Sequence, residues 1–223
     1  ATTASGALMV PVGSDAQCRG ARPLVLYAHG TTTERDFNMT NLQDDPNGEA
    51  LIVAALFASQ GYIVVAPNYA GYDSSTLPYH PYLVAEQQSK DMIDALAAAR
   101  SALPTGSAPT ATDNGRLYIT GYSQGGFVAM STHRAMQAAG MTVTASAPMS
   151  GPYAMAAFVD AEFAGRVGSG ATVSATLLIT GYQKTYGNIY ASAADVFEDA
   201  YASGIESLLP STSPRSVLYT QGK

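Results

Sequence analysis

The sequence predicts an α/β fold with a mostly parallel sheet and helices on both faces. Three observations carry that prediction. Short runs of β-forming residues alternate with longer helical stretches from Ala7 to Ala147. Two of the runs, Pro23–Ala28 (PLVLYA) and Tyr62–Ala66 (YIVVA), are apolar almost throughout, as strands buried on both faces must be. Three runs empty into loops of unusual chemistry: His29-Gly30-Thr31, Asn68 to Asp73, and Gly121-Tyr122-Ser123. In open α/β sheets the binding site lies at the strand carboxyl ends, so these loops converge on one rim.

The elements follow in order. Ala7–Val12 reads as a short strand stopped by Pro11, and residues 13–22 as a polar loop. After the strand at Pro23–Ala28, a polar loop rich in Asp and Asn extends to Asn47. Gly48–Gln60 reads as an apolar helix stopped by Gly61, and Pro67 ends the strand at Tyr62–Ala66. Pro81–Leu103 reads as a long helix with Met92, Ile93, Leu96 and Leu103 on one side. Pro104–Gly115 is linker-like. Leu117–Thr120 is a strand, Gln124–Ala139 a helix stopped by Gly140, and Met141–Ala147 a strand. After Pro152 the alternation stops. Tyr153–Ala164 reads as a helix, Ala171–Tyr182 fits helix or strand, and 191–209 reads as a helix weakened at Gly204. These divisions predict a core over 1–152, a helical cap folded over the rim at 153–215, and a return toward the core at 216–223.

The stretch LYITGYSQGG, Leu117–Gly126, is the most informative. Gly121-Tyr122-Ser123-Gln124-Gly125 matches G-x-S-x-G between a strand and a helix. A chance match occurs in roughly one chain in ten of this size, so the flanking elements carry the argument. A serine on a strained turn must leave the strand while the helix packs back on the sheet. Gly121 and Gly125 remove the Cβ atoms that would clash. A serine hydroxyl also needs a base to take its proton, and prepositioned donors for the negative oxygen that its attack creates. In this motif one donor is the N–H of the residue after the serine, here Gln124. The other comes from a His-Gly type loop, which assigns Thr31 N–H, with His29 and Gly30 shaping the loop. Tyr69, Tyr72 and Tyr122 are pocket candidates.

Composition bounds the alternatives. The chain has 223 residues, 47% hydrophobic and 13% charged, enough for one sizeable core. A net charge of −6 disfavours nucleic acid, which needs a basic stripe. No apolar run is long enough to span a membrane. Cys18 is the one cysteine, so no disulfide forms within these residues, and its partner is open. No His/Cys/Asp cluster has metal-ligand spacing, and no G-x-G-x-x-G follows an early strand, so neither a metal nor a dinucleotide cofactor is expected. Low charge with many Tyr and Thr leans toward a secreted or periplasmic protein. Asn38-Met39-Thr40 fits a glycosylation sequon of low specificity.

YAHGTTT, APNYAGYD, GYSQGG and APMSGPY, each following a strand, together resemble bacterial α/β-hydrolase esterases of the secretory-lipase-like group. TGYQKTYGNIY resembles that group's cap. The resemblance implies an α/β-hydrolase fold, an ester or lipid substrate, a Ser-Asp-His triad and no cofactor.

One departure is informative. The triad order in this fold is Ser, then Asp or Glu, then His. Of His29, His80 and His133, only His133 follows Ser123, and it lies about 15 Å along the same helix. A general base must come within about 3 Å. His29 is expected to hold its turn, and His80, at the start of a helix, to be a surface or capping residue. Asp160, Asp195 and Asp199 fall in the cap. Only the apolar run SVLYT follows it. The expectation is an incomplete sheet, completed by a C-terminal segment of the same protein that carries the acid and the base. The alternatives are a non-catalytic binding protein on the same scaffold, or a peptidase or acyltransferase.

Overall fold

In the computed structural model, which describes residues 2–43, 48–103, 111–166, 168 and 170–221, the described strands form one five-stranded sheet. They are β1 (Gly6–Met9), β2 (Gly20–Ala28), β3 (Ile63–Pro67), β4 (Ala111–Tyr122) and β5 (Ala145–Met149). Their spatial order is β1-β3-β2-β4-β5. β2 to β5 run parallel, and β1 pairs antiparallel with β3 at one edge. The connections are α1 (Glu49–Leu56), α2 (Ala85–Ala102) and α3 (Gln124–Ala138). α2 and α3 pack together on one face. Right-handed crossovers put α1 on the other, as the alternation predicts.

This strand order creates the crevice. From β2 the chain moves to β3 on one side, and from β4 it moves to β5 on the other. The loops after β2 and β4 therefore diverge, leaving a gap at their carboxyl ends. Below it the core is dry. Leu24, Leu26 and Ile63 are fully excluded from water, with Leu117 and Ile119 nearly so. Burial stabilises the fold by about 1.5–3 kcal/mol for each such side chain.

Several boundaries differ from the sequence reading, for physical reasons. β4 begins at Ala111, because Gly20–Arg22 pair with Ala111–Asp113 across an irregularity at Pro23, which has no N–H to give the ladder. α2 begins four residues late. Residues 81–84 form a buried turn in which Leu83 has φ 55°. β5 begins late because α3 ends in a Schellman turn at Gly140. There Met141 N–H donates to Met136 O (2.8 Å) and Gly140 N–H to Gln137 O (3.1 Å). Parts of the loop to Asn47 (44–47) and of the linker (104–110) lie outside the described residues.

After β5 the described chain is helical. α4 (Met155–Phe163) is followed by α5 (Ala171–Tyr186), which settles the ambiguous apolar run as helix. The helix expected over 191–209 is broken into 3₁₀ turns at Ala193–Asp195 and Ile205–Ser207 around the short α6 (Asp199–Ala202). Gly204, at φ 93°, marks one break. SVLYT lies in α7 (Arg215–Thr220). Its Leu218 is buried with Tyr82, Leu83, Leu177, Leu178 and Leu209, so this segment joins the helical layer instead of returning to the sheet.

Two close approaches fix the crevice. The first is α3 against β2. A Cβ on Gly125 would overlap the carbonyl oxygen of Ala28 and lie 2.9 Å from His29 O. A Cβ on Gly126 would strike Met149 O, and one on Gly121 would lie 2.5 Å from Gly125 O. The second fixes the loop after β3. Asp91 Oδ2 accepts Ala70 N–H (2.9 Å), and His80 Nδ1 donates to Ala70 O (2.8 Å). His80 is therefore an interior residue, 2% exposed, and neither the surface nor the capping residue expected, since Val84 stands at the start of α2. Burial lowers its pKa from 6.5 to about 3. Burial raises Asp91 from 3.8 to about 6.

Two outcomes are expected. Gly125→Ala should lower the unfolding free energy by about 2 kcal/mol or more, despite alanine's better helix propensity. Gly170→Ala, where the added methyl meets open space, should stay within about 0.5 kcal/mol. Urea titrations of both variants check this. The second outcome concerns pH. Between 6.5 and 3 the unfolded chain takes up a proton that folded His80 refuses, so its stabilisation is present above 6.5 and lost as pH falls. Asp91 works oppositely: its stabilisation is present below 3.8 and lost as pH rises through 6. The deficit of His80→Gln relative to wild type should therefore shrink by about 2 kcal/mol between pH 7 and pH 4.5. A deficit independent of pH would contradict the buried neutral imidazole.

Candidate active site

Ser123 sits where β4 gives way to α3. Its backbone is at φ 58°, ψ −120°, a region costing a non-glycine residue of order 1–3 kcal/mol. The surroundings hold it there. Ser123 N–H donates to Met149 O at the end of β5 (3.0 Å), and its carbonyl accepts Gly126 N–H (2.9 Å). The side chain is half-buried, and Oγ makes no hydrogen bond among the described residues. It lines a cavity of about 130 Å³ with Tyr82, Leu83, Gln124, Gly151, Met155 and Glu162. Burial raises the Glu162 carboxyl above its usual range.

The loop after β2 lies against this turn. Ala28 pairs with Gly121, so Thr31 and Gln124 each stand three residues past matched positions. A Cβ on Gly30 would lie 3.6 Å from Tyr122 O. Neither Thr31 N–H nor Gln124 N–H donates to an acceptor among the described residues. Gln124 N–H also opens the first turn of α3, where the helix dipole favours negative charge. Gly30 N–H is engaged: it donates to Glu49 Oε1 (2.9 Å), which also accepts the Tyr27 hydroxyl (2.7 Å). Burial, and then that carboxylate, push the Tyr27 pKa up.

His29 is buried and holds its turn. Nδ1 lies 2.7 Å from Gly30 O and Nε2 3.2 Å from Asn68 O, with the ring stacked on Tyr69 at 4.0 Å. Tyr69 and Tyr72 sit in the core and do not line the cavity. They are fully buried, and their hydroxyls donate to His29 O (3.1 Å) and Thr32 O (2.7 Å). Tyr122, 57% exposed, points outward. His133 Nδ1 contacts Ser146 Oγ (2.8 Å), between α3 and β5. The Asn38 amide of the sequon donates to Asp73 Oδ1 (3.1 Å), and its Oδ1 accepts from Thr40, so that side chain is already engaged.

Sequence reasoning missed His80, Tyr82 and Glu49. His80 Nε2 lies 2.7 Å from the Gln124 side-chain Nε2 and 3.3 Å from that of Gln88. Since Nδ1 gives its proton to Ala70 O, Nε2 is an acceptor with a single lone pair, taken by the Gln124 amide with the Gln88 amide as a longer second contact. The Tyr82 hydroxyl meets Thr31 Oγ1 at 2.8 Å. The one available signal was the packing of Tyr79-His80-Pro81-Tyr82 into the start of a supposed helix. Beside the small cavity lies a larger one of about 790 Å³, walled mainly by α4, α5, α7 and residues 196–209, and sharing Val159, Glu162 and Leu178 with it.

No group of three or more His, Cys, Asp or Glu among the described residues could hold a metal ion. No described helix is long and apolar enough to cross a membrane.

Comparisons with known proteins agree with this fold. The chain is similar to the crystal structure of the rice cell wall degrading esterase LipA from Xanthomonas oryzae, with 35% identity and a TM-score of 0.86 over 100% of this chain. A ligand-bound form of LipA matches at 33% identity and a TM-score of 0.85 over 99% of this chain. A Legionella pneumophila protein matches at 26% identity, with a TM-score of 0.75 over 100% of this chain. The chain spans 58% of the first of these relatives, and 57% of each of the other two. A search of curated proteins found no significant match. A family model described as the Alpha/beta hydrolase family matches residues 25–219, and the chain belongs to that family.

Proposed function

We propose that the protein is a serine esterase of the carboxylesterase or lipase type, cleaving carboxylic esters through an acyl-enzyme on Ser123. The observation that carries this reading is the strained Ser123 turn, with two unengaged N–H groups beside it. The Ser123 hydroxyl attacks the ester carbonyl. The carbonyl oxygen gains negative charge and is held by Thr31 N–H and Gln124 N–H, which need no reorganisation at that moment. Collapse expels the alcohol and leaves an acyl group on Oγ. Water then attacks that ester from the same site, the bond from the acyl carbon to Oγ breaks, and the carboxylic acid leaves as Ser123 regains its proton.

The base that activates Ser123 is not among the three histidines. His29 and His80 have their ring nitrogens against carbonyl oxygens and amide groups, and His133 contacts Ser146. We place the general base and its carboxylate partner on a segment of the same protein outside these 223 residues. The helical stretch 153–215 acts as a cap over the crevice. Its apolar cavity suits the hydrocarbon part of an ester or lipid.

A fluorophosphonate should label the intact protein at Ser123, and Ser123→Ala should lose both labelling and turnover of p-nitrophenyl esters by at least about 10³-fold. Absent labelling, or labelling that survives Ser123→Ala, would leave a hydrolase-fold binding protein as the better reading.

A further inference from the structure

The segment between the loop after β3 and α2 touches both sides of the crevice. His80 accepts the side-chain amide of Gln124 at 2.7 Å. Two residues on, the Tyr82 hydroxyl meets the Thr31 hydroxyl at 2.8 Å. Gln124 and Thr31 are the two residues whose N–H groups the proposed function assigns to the reacting oxygen. His80 is itself anchored through Ala70 O, and Ala70 N–H is anchored on Asp91. Pro81 joins the two contacts and limits the freedom of the link.

We propose that His80 and Tyr82 are positioning residues that hold the two oxyanion donors, Gln124 N–H and Thr31 N–H, at a fixed separation. The inference rests on the esterase reading of Ser123. Two further observations support it. Gln124 and Gln88 both direct their N–H₂ groups at His80, leaving Gln124 Oε1 and Gln88 Oε1 buried without a partner among the described residues. An unsatisfied buried acceptor costs about 1–3 kcal/mol, so stability alone would not select this arrangement. The segment is also braced from the helical side. Tyr182 of α5 donates to Leu83 O (3.1 Å), and a Cβ on Gly181 would lie 3.0 Å from His80 O. α5 therefore rests on the backbone that carries both positioning side chains.

Gln124→Ala keeps the backbone N–H and removes the tie to His80, along with the side chain's share of the cavity wall. Tyr82→Phe keeps the ring and removes the hydroxyl that meets Thr31, together with its contact to Ser174. In the intact protein, each should lower kcat on p-nitrophenyl butyrate tenfold or more, with KM within twofold. Affinity for a boronic acid that forms a tetrahedral adduct on Ser123 should fall in parallel with kcat/KM. Thr31→Ser, which retains the hydroxyl facing Tyr82, should keep at least half of wild-type kcat, and Thr31→Val should not. Equal kcat in wild type, Gln124→Ala and Tyr82→Phe would overturn the proposal. So would losses that appear in KM alone. If Gln124→Ala does not fold, Tyr82→Phe and the Thr31 pair decide the matter. Turnover surviving Ser123→Ala would sink the esterase reading itself. A dead Ser123→Ala beside unaffected Tyr82→Phe and Gln124→Ala would remove only the positioning role.

Discussion

The structure depends on how closely α3 can lie on the ends of β2 and β4. Three glycines set that distance. Gly125 faces the Ala28 carbonyl, Gly126 faces Met149 O, and Gly121 faces Gly125 itself. Any side chain there would lift the helix off the sheet. With the helix seated, the chain has too little room to pass from β4 into α3 along an ordinary path. Ser123 takes up the difference, at φ 58°. The strain is local and is held by hydrogen bonds to Met149 O and from Gly126 N–H. The same geometry leaves Gln124 N–H at an open helix start, beside the loop that carries Thr31. In the proposed function, a packing constraint between backbones thus becomes a site for a negative oxygen.

Around this contact the interior is more polar than its apolar strands suggest. Buried beneath the crevice is a stack of rings, His29 on Tyr69, with Tyr72 and His80 close by. Their polar atoms are directed at backbone groups: Tyr69 at His29 O, Tyr72 at Thr32 O, His80 at Ala70 O. Such contacts contribute about 1 kcal/mol each in net stability, but they fix where loop backbones run. That serves the site more than the core. The loops after β2 and β3 have no ladder to define them, and these side chains supply the definition.

The sheet was legible because its signals are local and strong. The apolar runs of β2 and β3, the helix between them and the glycine stop at Gly61 each read correctly from a few residues. The elbow was legible for the same reason, since G-x-S-x-G encodes a close approach in five consecutive positions. Boundaries set by distant partners were not. β4 starts early because it finds Gly20–Arg22 across the sheet, and residues 81–84 leave α2 to form a buried turn. The role of His80 was hidden because it comes from Gln124, forty-four residues away. Tyr69 and Tyr72 looked like pocket residues for their chemistry. They are core residues because their loop folds inward, with Gly71 against the Tyr79 carbonyl. The helix expected over 191–209 failed where Gly204 turned left-handed.

The central claim is that a negatively charged oxygen attached through Ser123 is met by two particular backbone donors. The most direct measurement is a crystal structure of the intact protein after reaction with a phosphonate ester. The account predicts phosphorus bonded to Ser123 Oγ, with one phosphonyl oxygen about 2.7–3.1 Å from both Thr31 N and Gln124 N. An adduct whose oxygen points to solvent, or one formed at another residue, would contradict it.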